Sequence, residues 1–231
     1  MIRDVGVVIP AAGAGRRLGG VRKPFLELAG VPVLQRTLAP FLDHPRVGWI
    51  VLALSPEDAA EPPGWLRELV ERSAPAVVLC AGGDERGDSV RAAMALLPAQ
   101  AELIAVHDAA RPLVTAAVID RVLDAAARGT GAVAAVPLAD TVKQVDHDRR
   151  IVDTPDRSRL WRVQTPQAFP AAMLRDAYAR AAEDGVQATD DAALVERYGG
   201  TVIVVDGAPE NFKITTRFDV QMAEALLGGS R

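Results

Sequence analysis

Six short apolar runs rich in β-branched residues recur along the chain: VGVVI from Val5, WIVLAL from Trp49, AVVLC from Ala76, LIAVH from Leu103, GAVAAV from Gly131 and TVIVV from Thr201. Continuous apolar runs of this length suit strands that are covered on both faces. Between them the apolar residues change period. Val33, Leu34, Thr37, Leu38, Phe41 and Leu42 fall on one helical stripe after Pro32, and Val118, Ile119, Val122, Leu123 and Ala126 do the same later. The alternation predicts an α/β fold, a mostly parallel sheet sandwiched by helices. Ligands of such open sheets sit beyond the carboxyl ends of the strands. The loops after VGVVI, AVVLC and LIAVH are therefore where chemistry is expected.

At 231 residues, 49% of them hydrophobic and 24% charged, the chain is expected to form one domain over 1–231. A formal charge of −4 and a pI near 5.5 argue against nucleic acid as a partner, because nucleic-acid binders present a broad basic face. Any basic site must be local. Cys80 is the only cysteine, so no intrachain disulfide can form, and His44, His107 and His147 make no metal pair by spacing. No window approaches the about 18 apolar residues of a membrane span, and no cleavage pattern follows the short apolar run near Met1. A cytoplasmic setting is expected.

One segment breaks the rhythm. From Pro137 to Arg162 polar and apolar residues alternate around the charged, turn-like DHDRR at Asp146 to Arg150, as in a β-hairpin with solvent on both sides. A two-stranded ribbon is marginal alone. Two readings follow: an arm that packs on another subunit, or a hairpin folded back on its own domain.

The first loop, PAAGAGRRLGGVRKPF from Pro10, joins small residues to four cations, Arg16, Arg17, Arg22 and Lys23. Gly13 and Gly15 let successive amide N–H groups converge on an anion. A guanidinium fork and a compact ammonium would complete a cradle for phosphate oxygens, and Arg17 and Lys23 can supply them. The dinucleotide pattern fails because Leu18 stands where its third glycine belongs, and the Walker Gly-Lys-Ser/Thr is absent. The bland alternative is a glycine-rich turn with solvated charges.

After AVVLC, the stretch CAGGDERGDSVRAAM places Gly82 and Gly83 before Asp84, Arg86, Asp88 and Ser89, with a helix expected near Ser89. Mixed donors and acceptors beside glycines suit the edge of a nucleobase, and Asp88 or Ser89 as a helix cap is an equal reading. After LIAV comes HDAARP. Asp108, at a strand's carboxyl end beside a phosphate cradle, can hold Mg²⁺ directly or through water, or pair with Arg111. His107 reads as a packed, hydrogen-bonded histidine.

Taken in order, PAAGAGRRLG with Lys23, GGDERGDSV, VHDAARP, DTVK, TPDRSRLW, QTPQAF, TDDAALV and NFKIT span the chain from the first strand to Lys213. The ordered set resembles the 2-C-methyl-D-erythritol 4-phosphate cytidylyltransferases of the non-mevalonate isoprenoid pathway. The resemblance implies a Rossmann-like nucleotidyltransferase fold, CTP as cosubstrate, Mg²⁺ as cofactor, and a homodimer whose protruding β-arm, 137–162, reaches the partner's site. It implies Arg17 and Lys23 at the CTP phosphates, and Ala11, Ala12, Gly13, Gly15, Gly82, Asp84, Ser89 and Asp108 around the nucleotide. Thr141, Arg157, Thr189 and Lys213 would surround methylerythritol phosphate, with Arg157 and Lys213 serving catalysis.

Two departures stand out. VRKPFL places the proline after Lys23 rather than before it, and Glu210 stands where the family often has aspartate. The implied reaction is attack by the acceptor's phosphate oxygen on the α-phosphorus of CTP. Its nucleophile is already an anion, which agrees with the absence of any Ser/His/Asp or Cys/His set. Two rivals remain: a cytidylyltransferase for another polyol phosphate such as ribitol 5-phosphate, and a catalytically silent nucleotide-binding protein. The acceptor-side cations Arg157 and Lys213 speak against the silent protein.

Overall fold

The structure is a computed structural model that describes residues 3–13 and 23–229, and of Lys23 the backbone only. Its strands are β1 (Val5–Pro10), β2 (Glu27–Leu28), β3 (Val31–Pro32), β4 (Val47–Leu54), β5 (Ala76–Ala81), β6 (Leu103–Val106), β7 (Gly131–Pro137), β8 (Gln144–Val145), β9 (Ile151–Asp153), β10 (Trp161–Pro170) and β11 (Val202–Asp206). Its helices are α1 (Val33–Leu42), α2 (Pro56–Ala60), α3 (Gly64–Arg72), α4 (Arg86–Ala95), α5 (Ala116–Ala126), α6 (Ala171–Asp184), α7 (Asp191–Arg197) and α8 (Arg217–Gly228). All six apolar runs become strands, and both helical stripes become α1 and α5.

Seven strands form the main sheet in the order β11-β7-β10-β6-β1-β4-β5. Every pairing is parallel except the two made by β10, which runs against both β6 and β7. Along β1 the pleat sends Val5, Val7 and Ile9 into one apolar layer with Leu34, Leu38 and Phe41 of α1 and Val118, Ile119 and Val122 of α5. Val8 enters the opposite layer with Val90 and Met94 of α4, Leu174 of α6 and Leu194 of α7. Gly6 belongs to this second face, where a Cβ would lie 2.8 Å from both terminal methyls of Leu97. Order in the sheet reverses between β1 and β6, because β4 and β5 extend to one side of β1 and β6 lies on the other. The crevice at such a reversal is where open α/β sheets bind ligands.

β8 and β9 form a separate antiparallel hairpin, closed by Asp146, whose Oδ1 accepts from the backbone N–H groups of Asp148 and Arg150 at 2.9 Å each. Its apolar side chains are exposed, Ile151 by 62% and Val152 by 58%, so the hairpin is not folded back into the core of its own chain. β10 has no counterpart among the predicted strands, and its first residues overlap the end of the 137–162 segment. Among the described residues no helix is long and apolar enough to cross a membrane.

Candidate active site

Two backbone segments close on each other at the carboxyl ends of β1 and β5. Ala11 N–H donates to the carbonyl of Ala53 at 2.7 Å, and Gly82 N–H donates to the carbonyl of Leu54 at 2.7 Å, so both loops hang from the end of β4. A Cβ on Gly82 would fall 2.6 Å from the Ala12 Cβ and 2.6 Å from Ser89 Oγ; only glycine permits this approach. At Gly13 a Cβ would meet nothing within 4 Å among the described residues, and the position lines the cavity.

α4 begins at Arg86, three residues earlier than expected, with Glu85 as N-cap and no side-chain cap. Neither Asp88 nor Ser89 therefore caps the helix. Ser89, 2% exposed, sits in its first turn, where Oγ accepts from Gly83 N–H at 3.2 Å and ties the glycine turn to the helix. The cavity between these loops has a volume of about 790 Å³. Of the expected site residues, Ala11, Ala12, Gly13, Gly82, Asp84, Ser89, Asp108 and Lys213 all line it. Pro24 lines it too, which brings the backbone after Lys23 to its wall.

The polar centre is Asp108, on the loop after β6 and 7% exposed. Its Oδ2 meets Lys213 Nζ at 3.0 Å and Arg111 Nε at 3.4 Å, and its Oδ1 meets Arg86 Nε at 3.4 Å. Burial alone would raise this carboxyl, but Lys213, Arg86 and Arg111 together hold it well below the usual carboxylate range. Arg86 reaches past Asp108 to the fully buried Asp191, Nη2 to Oδ2 at 2.8 Å, and the Tyr178 hydroxyl donates to the other Asp191 oxygen. Burial opposes the Arg86 charge, yet Asp191 and Asp108 raise its pKa. Three cations against two carboxylates leave the cluster net positive. Of this cluster Lys213, Arg86 and Asp108 line the cavity, where the two cations can meet an anion beside the carboxylates of Asp84 and Glu85.

Asp108 and Arg111 thus form the expected ion pair, and Arg111 Nη1 also donates to the carbonyl of Asn211 at 2.7 Å. Both Asp108 oxygens are engaged by cations, a setting that suits a carboxylate organising positive charge rather than one ligating a metal directly. Among the described residues no group of three His, Cys, Asp or Glu is placed to hold a metal ion. His107 packs against Phe41 with ring centroids 5.0 Å apart. Its Nδ1 lies 3.0 Å from Thr165 Oγ1 and its Nε2 lies 3.2 Å from the carbonyl of Arg111.

The remaining expected residues lie elsewhere. Thr189 borders a neighbouring cavity of about 460 Å³, and Arg86 lines both cavities. Thr141 and Arg157 stand exposed in the hairpin segment, where Arg157 Nη1 donates to the carbonyl of Ala139 at 2.7 Å. Gly15 and Arg17 lie outside the described residues, as does the side chain of Lys23. Asp191 carries no role in the sequence reading, and Arg86 enters it only among the mixed donors and acceptors beside the glycines, although both stand inside quoted motifs.

A mostly parallel sheet with a glycine-bounded crevice at its reversal point and cations gathered beside it defines a nucleotidyltransferase-like α/β protein. The family model for 2-C-methyl-D-erythritol 4-phosphate cytidylyltransferase matches residues 5–229. A protein of that name from Symbiobacterium thermophilum is 49% identical, over 96% of this chain and 92% of its own length. The bifunctional enzyme IspD/IspF of Solidesulfovibrio magneticus is 46% identical, over 94% of this chain but 56% of the bifunctional protein. The crystal structure of 2-C-methyl-D-erythritol 4-phosphate cytidylyltransferase from Thermus thermophilus superposes with a TM-score of 0.81 at 37% identity, covering 96% of this chain and 98% of that one. The chain belongs to the 2-C-methyl-D-erythritol 4-phosphate cytidylyltransferase family.

Proposed function

We propose that the protein transfers CMP from CTP to 2-C-methyl-D-erythritol 4-phosphate, giving 4-diphosphocytidyl-2-C-methyl-D-erythritol and pyrophosphate. The observation that carries this reading is the meeting of Lys213, Arg86 and Arg111 on Asp108 at the rim of the glycine-bounded cavity. A phosphate oxygen of the acceptor attacks the α-phosphorus of CTP, and the bond from that phosphorus to the departing pyrophosphate breaks. Two anions must approach for this to happen. At 4 Å two unit charges repel by about 1 kcal/mol in water and about 4 kcal/mol at an effective dielectric near 20. Fixed cations offset that cost, and positioning for in-line displacement supplies the rest.

In this reading Ala11, Ala12, Gly13, Gly15, Gly82, Asp84 and Ser89 hold the nucleotide, and Arg17 and Lys23 stabilise its phosphates. Lys213 and Arg157 grip the acceptor phosphate, while Thr141 and Thr189 contact the acceptor. Mg²⁺ arriving with CTP would neutralise triphosphate charge, held by the phosphates, with Asp108 reaching it through water. Arg157 and Thr141 serve a neighbouring copy's site. The exposed Val145, Ile151 and Val152 of the hairpin support a homodimer formed through this arm, since hydrophobic side chains on a thin ribbon gain by burial in a partner. The unit is one catalytic domain, 1–231, with 137–162 as its arm, working in the cytoplasm.

The test offers purified protein CTP and Mg²⁺ with either 2-C-methyl-D-erythritol 4-phosphate or ribitol 5-phosphate and measures pyrophosphate. Release with the methylerythritol ester is expected. Release with the ribitol ester alone overturns the acceptor assignment.

A further inference from the structure

β10 carries polar side chains where a strand buried in mid-sheet ordinarily carries apolar ones. Gln164, Thr165 and Gln167 are 2%, 4% and 1% exposed. A buried amide left without partners is costly, because its desolvation goes uncompensated. These are partnered, and each reaches a different loop of the site. Gln164 Nε2 donates to the carbonyl of Ala208 at 2.7 Å, while its Oε1 accepts from Ala208 N–H at 3.3 Å and from Asn211 Nδ2 at 3.2 Å. Asn211, fully buried, also donates to the carbonyl of Thr165 at 2.8 Å. Two residues further along this loop is Lys213. A Cβ on Gly207 would lie 2.4 Å from Gln164 Oε1, so the loop keeps a glycine where the amide needs room.

Gln167 treats a second loop in the same way. Its Nε2 donates to Asp190 Oδ2 at 3.0 Å and its Oε1 accepts from Ala192 N–H at 3.0 Å, bracketing Asp191 at the start of α7 and following directly on Thr189. Thr165 Oγ1, between the two glutamines, accepts from Asp108 N–H at 3.0 Å. A carboxamide is suited to this task because one end donates and the other accepts, which a carboxylate or an apolar side chain of similar size cannot do.

We propose that Gln164 and Gln167 are positioning residues for the transfer reaction: Gln164 fixes the loop that carries Lys213, and Gln167 fixes the loop that carries Thr189 and Asp191. The inference rests on the proposed role of Lys213 and Thr189 at the acceptor. Glutamate at either position keeps the size and removes the donor. At Gln164 it sets an anion against the carbonyl of Ala208, and at Gln167 against the Asp190 carboxylate.

The experiment is crossed. Amide hydrogen exchange on the full chain, free of substrates, compares Gln164→Glu and Gln167→Glu with the unaltered protein. Gln164→Glu is expected to speed exchange about tenfold or more over 208–214 and less than about twofold over 189–193, and Gln167→Glu to do the reverse. Kinetically, Gln164→Glu is expected to raise KM for the acceptor about fivefold or more with KM for CTP within about twofold. If both variants loosen both loops alike, or neither loop responds, the glutamines only fill the sheet and the proposal is overturned. A crossed exchange pattern with unchanged acceptor KM upholds the positioning and instead removes Lys213 from acceptor binding. Should a glutamate variant fail to fold, Gln164→Asn and Gln167→Asn, which keep the amide but shorten its reach, are compared by the same exchange measurement.

Discussion

Lys213 Nζ stands 3.0 Å from Asp108 Oδ2, although the two residues are far apart in the sequence. Lys213 keeps 43% of its side chain exposed and lines the cavity, whereas Asp108 is almost wholly enclosed. One partner is thus an anchor and the other a tethered cation that solvent, or a phosphate, can still reach. The loop of Lys213 is held to that of Asp108 by backbone as well, through Ile214 N–H to the carbonyl of Ala110 at 2.8 Å.

Replacing Asp108 by Asn keeps the shape and deletes the charge that Lys213, Arg86 and Arg111 share. Arg111 and Arg86 are then largely enclosed with one carboxylate fewer between them. Breaking a buried pair by removing one partner costs about 3–5 kcal/mol. Asp108→Asn is therefore expected to lose about 3 kcal/mol of stability in urea unfolding, with turnover lowered by about 10². Unchanged values of both would remove Asp108 from the organisation of these cations.

How far the sequence discloses this site depends on how each part is held. Apolar runs and stripes disclosed β1, β4 to β7 and β11, because a strand covered on both faces must be apolar on both. β10 escaped the same reading: its buried Gln164, Thr165 and Gln167 satisfy themselves through hydrogen bonds to distant loops, and Pro166 sits where the pairing with β7 shifts register. Pattern reasoning sees polarity and proline as a break. Loop position and chemistry pointed to Asp108 and Gly82. The pairing of Arg86 with Asp191 was hidden because its significance is mutual, and only the folded chain brings α4 against α7.

Arg17 and Lys23 belong to the loop that concentrates positive charge after β1. Lys23→Ala or Arg17→Ala is expected to lower turnover by a factor of about 10² or more, as loss of a charge-stabilising donor does. Folding should be little changed by circular dichroism, since neither substitution removes an apolar side chain. Near-normal turnover of either variant takes that residue out of the mechanism.

The arm offers a test of assembly that spares the fold. Ile151 is 62% exposed in the single chain, so Ile151→Asp disturbs little internal packing and should leave the unfolding free energy of the single chain within about 0.5 kcal/mol. If the arm's apolar face meets a second copy, a buried carboxylate there weakens association. Sedimentation should then report a dimer dissociation constant raised about tenfold or more, with specific activity falling on dilution. A parent protein that sediments as a monomer at all concentrations while fully active defeats the dimer reading.

His107 makes stability depend on pH in a predictable direction. Burial disfavours its charged form and, helped by the nearby Arg111 charge, lowers its pKa to about 4, outweighing the hydrogen bonds at Arg111 and Thr165 and the Asp108 charge that favour protonation. The unfolded chain takes up a proton near the ordinary value of about 6.5. Between these values the unfolded state binds more protons than the folded one, so stability falls as pH drops through 6.5 and this loss levels off below about 4. The gap corresponds to a loss of about 3 kcal/mol. Gln at this position offers a donor and an acceptor but no titration. Urea unfolding at several pH values from 7 to 4 should therefore show a difference between the parent and His107→Gln that narrows or reverses as acid is added. A constant difference across that range would mean that the histidine titrates alike in the folded and unfolded chain, and the neutral, packed role assigned to it would be wrong.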